Sequence, residues 1–205
     1  MTGWTTTKNY DILLQKDEMS CGLCCVGMIV KLLDGYTKYS ESSLINKSRK
    51  LDSTSTGYTM AATNRVGAVA TPFAGLKKGE ATFAGTIGLN DGPSHSVDGT
   101  YGAHLAKLLV ELGFEATYGQ GNVNKAMNNV NKRKPLIVRV GEPGHWVVVA
   151  GKRSKNGDYI VLDPCMSREV TITKNSAHHS DTRSFTDFYV SCKRSTSIFK
   201  KVKVM

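Results

Sequence analysis

The chain has 205 residues, 40% hydrophobic and 21% charged, with only five prolines, which fits one globular domain and excludes a disordered or fibrous chain. Its longest apolar stretches, Val147 to Ala150 and the mixed segment Leu23 to Leu33, fall short of the roughly 18 residues a membrane span needs, so no transmembrane helix is expected. The formal charge of +10 reads either as a solvated basic surface or as a face for an acidic partner or substrate.

The N-terminus, Met1 to Lys8, lacks an apolar h-region and a cleavage site. No secretory signal is read, and the expected location is the cytoplasm or export by a specialised machine. Residues 1–19 form an extended leading segment in which Tyr10, Ile12 and Leu14 alternate before the polar run Gln15-Lys-Asp-Glu18. From Ser20, a residue suited to an N-cap, to Leu33 the apolar positions recur at three and four, and Asp34-Gly35 supplies the stop. Ser40 caps a second helix over Glu41 to Lys50. Between about 51 and 100 the composition turns to Gly, Ala, Thr and Ser, with Gly57, Gly67, Gly75 and further glycines preventing a long helix. Loops with short elements are expected there, with a lid over a cleft as one role.

Helical spacing resumes over Tyr101 to Leu112 and closes at Gly113, and another helix is expected over Val123 to Lys132. Leu136 to Val140, His145 to Ala150 and Tyr159 to Leu162 then read as strands, with Val170 to Thr173 and Ile198 to Val204 as two more. Helices first and an antiparallel sheet second is the order of an α+β fold with two lobes. The chain is expected to form a single domain, helical over about 1–132 and sheet-forming over about 133–205.

A thiol is a strong nucleophile when ionised, and a helix N-terminus favours the thiolate through its N–H groups and dipole. Cys21 occupies that position, whereas Cys24 and Cys25 lie one turn on and suit core packing as small hydrophobes. Five cysteines, three of them crowded on one helix, argue against a disulfide framework. Gln15, six residues before Cys21, can supply a side-chain amide to an oxyanion beside the nucleophile's own N–H; on its own it would be an ordinary surface glutamine.

His145 stands at the start of a buried strand, and Asp163 ends the strand that returns beside it. The two share a face if 145 pairs with 163 across an odd-numbered loop centred on Ser154. A two-residue Asn156-Gly157 turn would put them on opposite faces, so either that turn does not form or a bulge corrects the register. Asp163 would then fix the imidazole tautomer, although Asp-Pro also commonly ends a strand. Trp146 either shields that bond from water or is a plain core aromatic. No metal and no cofactor are expected: Cys21, Cys24 and Cys25 crowd one turn, His178 and His179 suit a polar loop, and His95 and His104 have no evident partner.

Gln15, five residues, then Cys21-Gly22 and a small-residue helix, followed by Gly144-His145-Trp146-Val-Val and Asp163-Pro164, resemble the papain-like cysteine peptidases. The resemblance is strongest to the bacteriocin-processing peptidases that cut after a double-glycine leader and to related bacterial effector proteases. It covers about a quarter of the chain and implies a papain-like fold, a Cys21-His145-Asp163 triad, Gln15 at the oxyanion and cleavage at small residues. The family usually carries an acidic residue where this chain has Ser20, and its members are commonly fused to a membrane transporter.

With the basic charge, the resemblance implies an interbacterial toxin or effector that acts on a protein or peptide substrate and is neutralised by an acidic immunity protein. The same Cys-His chemistry also fits a thiol amidase or acyltransferase acting on cell wall or small amides, and the fold could serve as an inactive basic binding module. Nucleic acid is a poor partner, because the basic clusters are not interleaved with aromatics and no recognition motif occurs. No membrane partner is expected.

Overall fold

Helix α1, Cys21–Asp34, is the axis of the molecule. Every residue from Cys21 to Val30 is buried, the mark of a helix apolar all round and enclosed by other elements. Its end is set by Gly35, whose φ of 84° lets its N–H reach the Lys31 carbonyl at 3.0 Å. Ser20 occupies the N-cap position, but its side chain makes no capping bond, a departure from the sequence expectation explained below. The computed structural model describes residues 3–17, 19–53, 100–121, 123–141, 144–152, 158–172 and 185–195. The Gly/Ala/Thr region apart from its ends, His95, His178, His179, the Asn156-Gly157 turn and the expected strand over Ile198 to Val204 lie outside them.

The leading segment forms a small hairpin, β1 (Trp4–Thr6) and β2 (Asp11–Leu13). It lays Ile12 and Leu13 against α1, where Leu13 sits over Gly27 at a spacing that leaves no room for a side chain. Helix α2, Glu41–Ser53, runs slightly beyond its expected end, and Ser40 caps it by accepting the Ser43 N–H at 3.2 Å. Helix α3, Gly102–Glu111, stops at Gly113 as the sequence predicts, with φ 92° there.

Strand β3, Phe114–Gln120, leads into helix α4, Val123–Asn128. That helix ends four residues before Lys132, because Asn129 and Val130 donate to carbonyls only three residues back and the chain turns at the Asn131–Lys134 bridge. The remaining strands are β4 (Leu136–Val140), β5 (His145–Lys152), β6 (Tyr159–Leu162), β7 (Glu169–Ile172) and β8 (Phe185–Arg194).

Six strands make one antiparallel sheet in the order β3-β8-β4-β5-β6-β7. The division into a helical part before 133 and a sheet part after it is therefore corrected, since β3 belongs to the sheet and the late strand β8 joins it to β4. One face, with Ile137, Trp146, Val148, Ala150 and Leu162, packs on α1 and α3; the other, with Val138, Val140, Val147, Val149 and Val161, packs with Met127 and Val130 at α4. Burial on both faces explains why β5 reads as a continuous apolar run. No helix among the described residues is long and apolar enough to cross a membrane.

Candidate active site

The first turn of α1 holds Cys21, which is 6% exposed. Cys24 and Cys25 are fully buried behind it. The Cys25 thiol donates to the Trp146 carbonyl at 3.2 Å, and Cys24 lies 3.8 Å from the Ser20 hydroxyl. Burial and the nearby Glu41 charge push the Cys24 thiol well up, and burial does the same to Cys25. Neither can serve as a thiolate at neutral pH.

His145 opens β5 and Asp163 follows β6 directly, so the register between those strands decides whether they meet. Near the site the ladder pairs Val148 with Leu162 and Val149 with Val161; farther out it pairs Gly151 with Ile160 and Lys152 with Tyr159. The register shift between Val149 and Gly151 is a bulge, one of the two outcomes expected from the sequence; the Asn156-Gly157 turn itself lies outside the described residues. The pairing itself differs by two residues from the expected one. The paired register ends at Leu162, and Asp163 opens the turn that follows. A two-residue offset preserves the side-chain face, and His145 Nε2 donates to Asp163 Oδ1 at 2.8 Å with both residues buried.

Asp163 is held in turn. Its Oδ1 accepts the Cys165 N–H at 2.7 Å, and its carbonyl accepts the Met166 N–H at 2.9 Å, closing a tight turn. Burial pulls the His145 imidazole down, but hydrogen bonds with Asp163, Cys165 and Cys21 and the Asp163 charge raise it to about 12. These contacts favour the imidazolium form of His145. Gly144, just before it, has φ 113° and lies where any Cβ would overlap the Arg139 guanidinium. Trp146 faces the core, with its indole N–H donated to the Thr100 carbonyl at 2.7 Å, which favours the plain core reading over a shield for the pair.

Gln15 reaches the same region from the other side. Its backbone N–H donates to the Pro164 carbonyl at 2.9 Å, and its side-chain amide donates to the Asp17 carbonyl at 3.3 Å, a long bond that is easily exchanged. The loop from Gln15 to Cys21 is organised by Glu41, which the sequence reading placed only as the start of α2. Its carboxylate accepts the N–H groups of Lys16 at 2.8 Å and Asp17 at 3.0 Å and lies against the Ser20 hydroxyl. Ser20 is also 2.8 Å from the Asp17 carbonyl, so its hydroxyl is committed to this loop and is unavailable to cap α1.

Two further residues stand apart from the sequence expectations. His104 does have a partner: its Nε2 shares a 2.6 Å hydrogen bond with the Ser48 hydroxyl, and both are buried. Cys165, not weighed as a site residue, is exposed, and it has a donor atom grouped with those of His145 and Asp163, all within 4.8 Å of one another. Its only sequence signal was its position two residues after Asp163.

No family model matches this chain, and no curated protein matches it. Among solved structures it is similar to the peptidase domain of Streptococcus ComA, a bifunctional ABC transporter involved in a quorum sensing pathway. That likeness has 18% identity and a TM-score of 0.54, and covers 91% of this chain and 100% of the other. A double glycine motif protease from an AMS/PCAT transporter, in complex with its leader peptide, gives 15% identity and a TM-score of 0.48 over 94% of this chain and 99% of the other. The peptidase domain of Streptococcus mutans ComA gives 16% and 0.38 over 62% and 98%. The first of these carries the fold: the α+β, papain-like architecture expected from the sequence is the one observed.

Proposed function

We propose that this chain is a cysteine endopeptidase in which Cys21 is the nucleophile, His145 the acid and base, Asp163 the orienting carboxylate and Gln15 a donor to the oxyanion. The observation that supports it most is the buried 2.8 Å bond between His145 Nε2 and Asp163 Oδ1, beside a cysteine at a helix start. The fold likeness to a peptidase domain favours a peptide carbonyl as the electrophile over the small amides of an amidase or acyltransferase.

In this reading Asp163 occupies one imidazole nitrogen and leaves the other for the thiol. The Cys21 thiolate attacks the scissile carbonyl, and the oxygen takes up negative charge beside the Cys21 N–H and the Gln15 amide, which exchanges its long bond to Asp17 for one to the oxyanion. The His145 imidazolium protonates the leaving amine as the C–N bond breaks. Neutral His145 then takes a proton from water, whose oxygen attacks the thioester and releases the acid and the Cys21 thiolate.

Cleavage after small residues such as Gly-Gly follows from the family resemblance. The role of a delivered toxin held by an acidic immunity protein rests on that resemblance and the +10 charge. The test compares wild type with Cys21→Ala in a proteome-wide search for new N-termini. New termini after small residues, made only by wild type, are expected. The same fragments from both proteins, or none from wild type at high concentration, would overturn the peptidase reading, and turnover of muropeptides alone would replace it with the amidase.

A further inference from the structure

We propose that Cys165, His145 and Asp163 form a binding site for a thiophilic divalent cation of the Zn²⁺ type, and that its occupancy switches the active site off. One donor atom from each residue lies within 4.8 Å of the other two, a separation from which small side-chain rotations bring all three onto one ion. A sulfur, a nitrogen and an oxygen make a donor set suited to tetrahedral zinc and unsuited to Mg²⁺ or Ca²⁺, which take oxygen alone. The fourth position is left for solvent or for Cys21, which lies on the same imidazole.

Main-chain bonds place the three residues together, and the site is open to solvent at Cys165. Cys165 is exposed, so an ion reaches its sulfur from solvent, while His145 and Asp163 are buried behind it. The Cys165 N–H bond to Asp163 and the turn closed by Met166 hold the Cys165 backbone beside the carboxylate. The turn that follows β6 brings the same cysteine's sulfur within 4.8 Å of the His145 donor atom. The peptidase mechanism makes no use of the Cys165 thiol. Zinc uptake displaces the protons of the Cys165 thiol and the His145 ring to solvent and occupies an imidazole nitrogen, which removes the acid and base. The ion is thus an inhibitor of this site and no part of its chemistry.

Binding stands independently of the proposed peptidase activity; only the inhibition rests on that reading. The experiment therefore starts from the full chain carrying Cys21→Ala, titrated with Co²⁺ in chelator-free buffer. A thiolate-to-cobalt charge-transfer band is expected, lost when Cys165→Ala or Cys165→Ser is added and removed by EDTA. No band with Cys21→Ala alone, or a band that survives the Cys165 substitutions, would overturn the site. With a cleavable peptide, zinc inhibition of each protein is measured against its own zinc-free rate. The Cys165 variants should need about tenfold or more zinc for the same inhibition, and equal sensitivity would overturn the switch. A protein that binds Co²⁺ through Cys165 but cleaves no peptide would retain the site and lose the peptidase reading.

Discussion

The backbone N–H of Gln15 donates to the carbonyl of Pro164 at 2.9 Å, so the segment carrying the side-chain amide is tied to the turn carrying Asp163. The tie uses main-chain atoms only, and a side-chain change at Gln15 leaves it in place. Gln15→Ala should therefore lower kcat by about 10²–10³-fold with KM and folding nearly unchanged. Steady-state kinetics on a peptide with a double-glycine site measure the split, and a change in KM alone would remove Gln15 from the oxyanion.

Asp163→Asn keeps the volume of the side chain but removes the charge that orients and stabilises the His145 imidazolium. A fall in kcat on the order of 10²–10⁴-fold is expected. The His145 ring signals in a nitrogen-resolved NMR spectrum should show loss of the imidazolium at neutral pH. Undiminished turnover would show that His145 acts without Asp163.

Glu41→Ala leaves the Lys16 and Asp17 N–H groups and the Ser20 hydroxyl without their shared acceptor. Urea denaturation should register a loss of about 1–3 kcal/mol. Because Gln15 and Cys21 bound that loop, kcat/KM should fall as well, and Glu41→Gln, which retains one acceptor oxygen, should recover part of both.

His104 makes stability depend on pH. Burial, with a smaller effect of the Lys107 charge, lowers its pKa from the ordinary 6.5 to about 3. Between those values the unfolded chain binds a proton that the folded chain refuses, so this contribution is whole above about pH 6.5 and is lost as pH falls toward 3. His104→Asn should flatten that part of the stability profile relative to wild type, measured as urea midpoints at pH 5 and pH 7.5. Parallel profiles for the two proteins would refute the assignment.

The catalytic candidates were legible because each sits where local pattern is strongest. Cys21 begins a helix whose apolar spacing runs unbroken to Leu33, and His145 begins a valine-rich strand. Strands β3 and β8 were missed although both carry a period of two, with Phe114, Ala116 and Tyr118 in one and Phe188, Val190 and Cys192 in the other. Between these apolar positions lie Glu115, Thr117, Tyr189 and Ser191, and the pattern is short and mixed enough to pass for loop. Their partners are distant in sequence, and pairing distant strands leaves no local signature.

By itself the sequence determined the helix that Cys21 begins, its αL stop at Gly35, the α+β class, and that His145 and Asp163 share a face only if a simple Asn156-Gly157 turn is avoided or a bulge corrects the register. Those follow from residue spacing, turn chemistry and the two-residue period of a strand, all local properties. Only the tertiary structure decided that the bulge falls between Val149 and Gly151, that Glu41 holds the loop before Cys21, and that Cys165 stands beside His145. Each of these depends on segments far apart in the chain meeting at a particular register, and residue order alone leaves that register open.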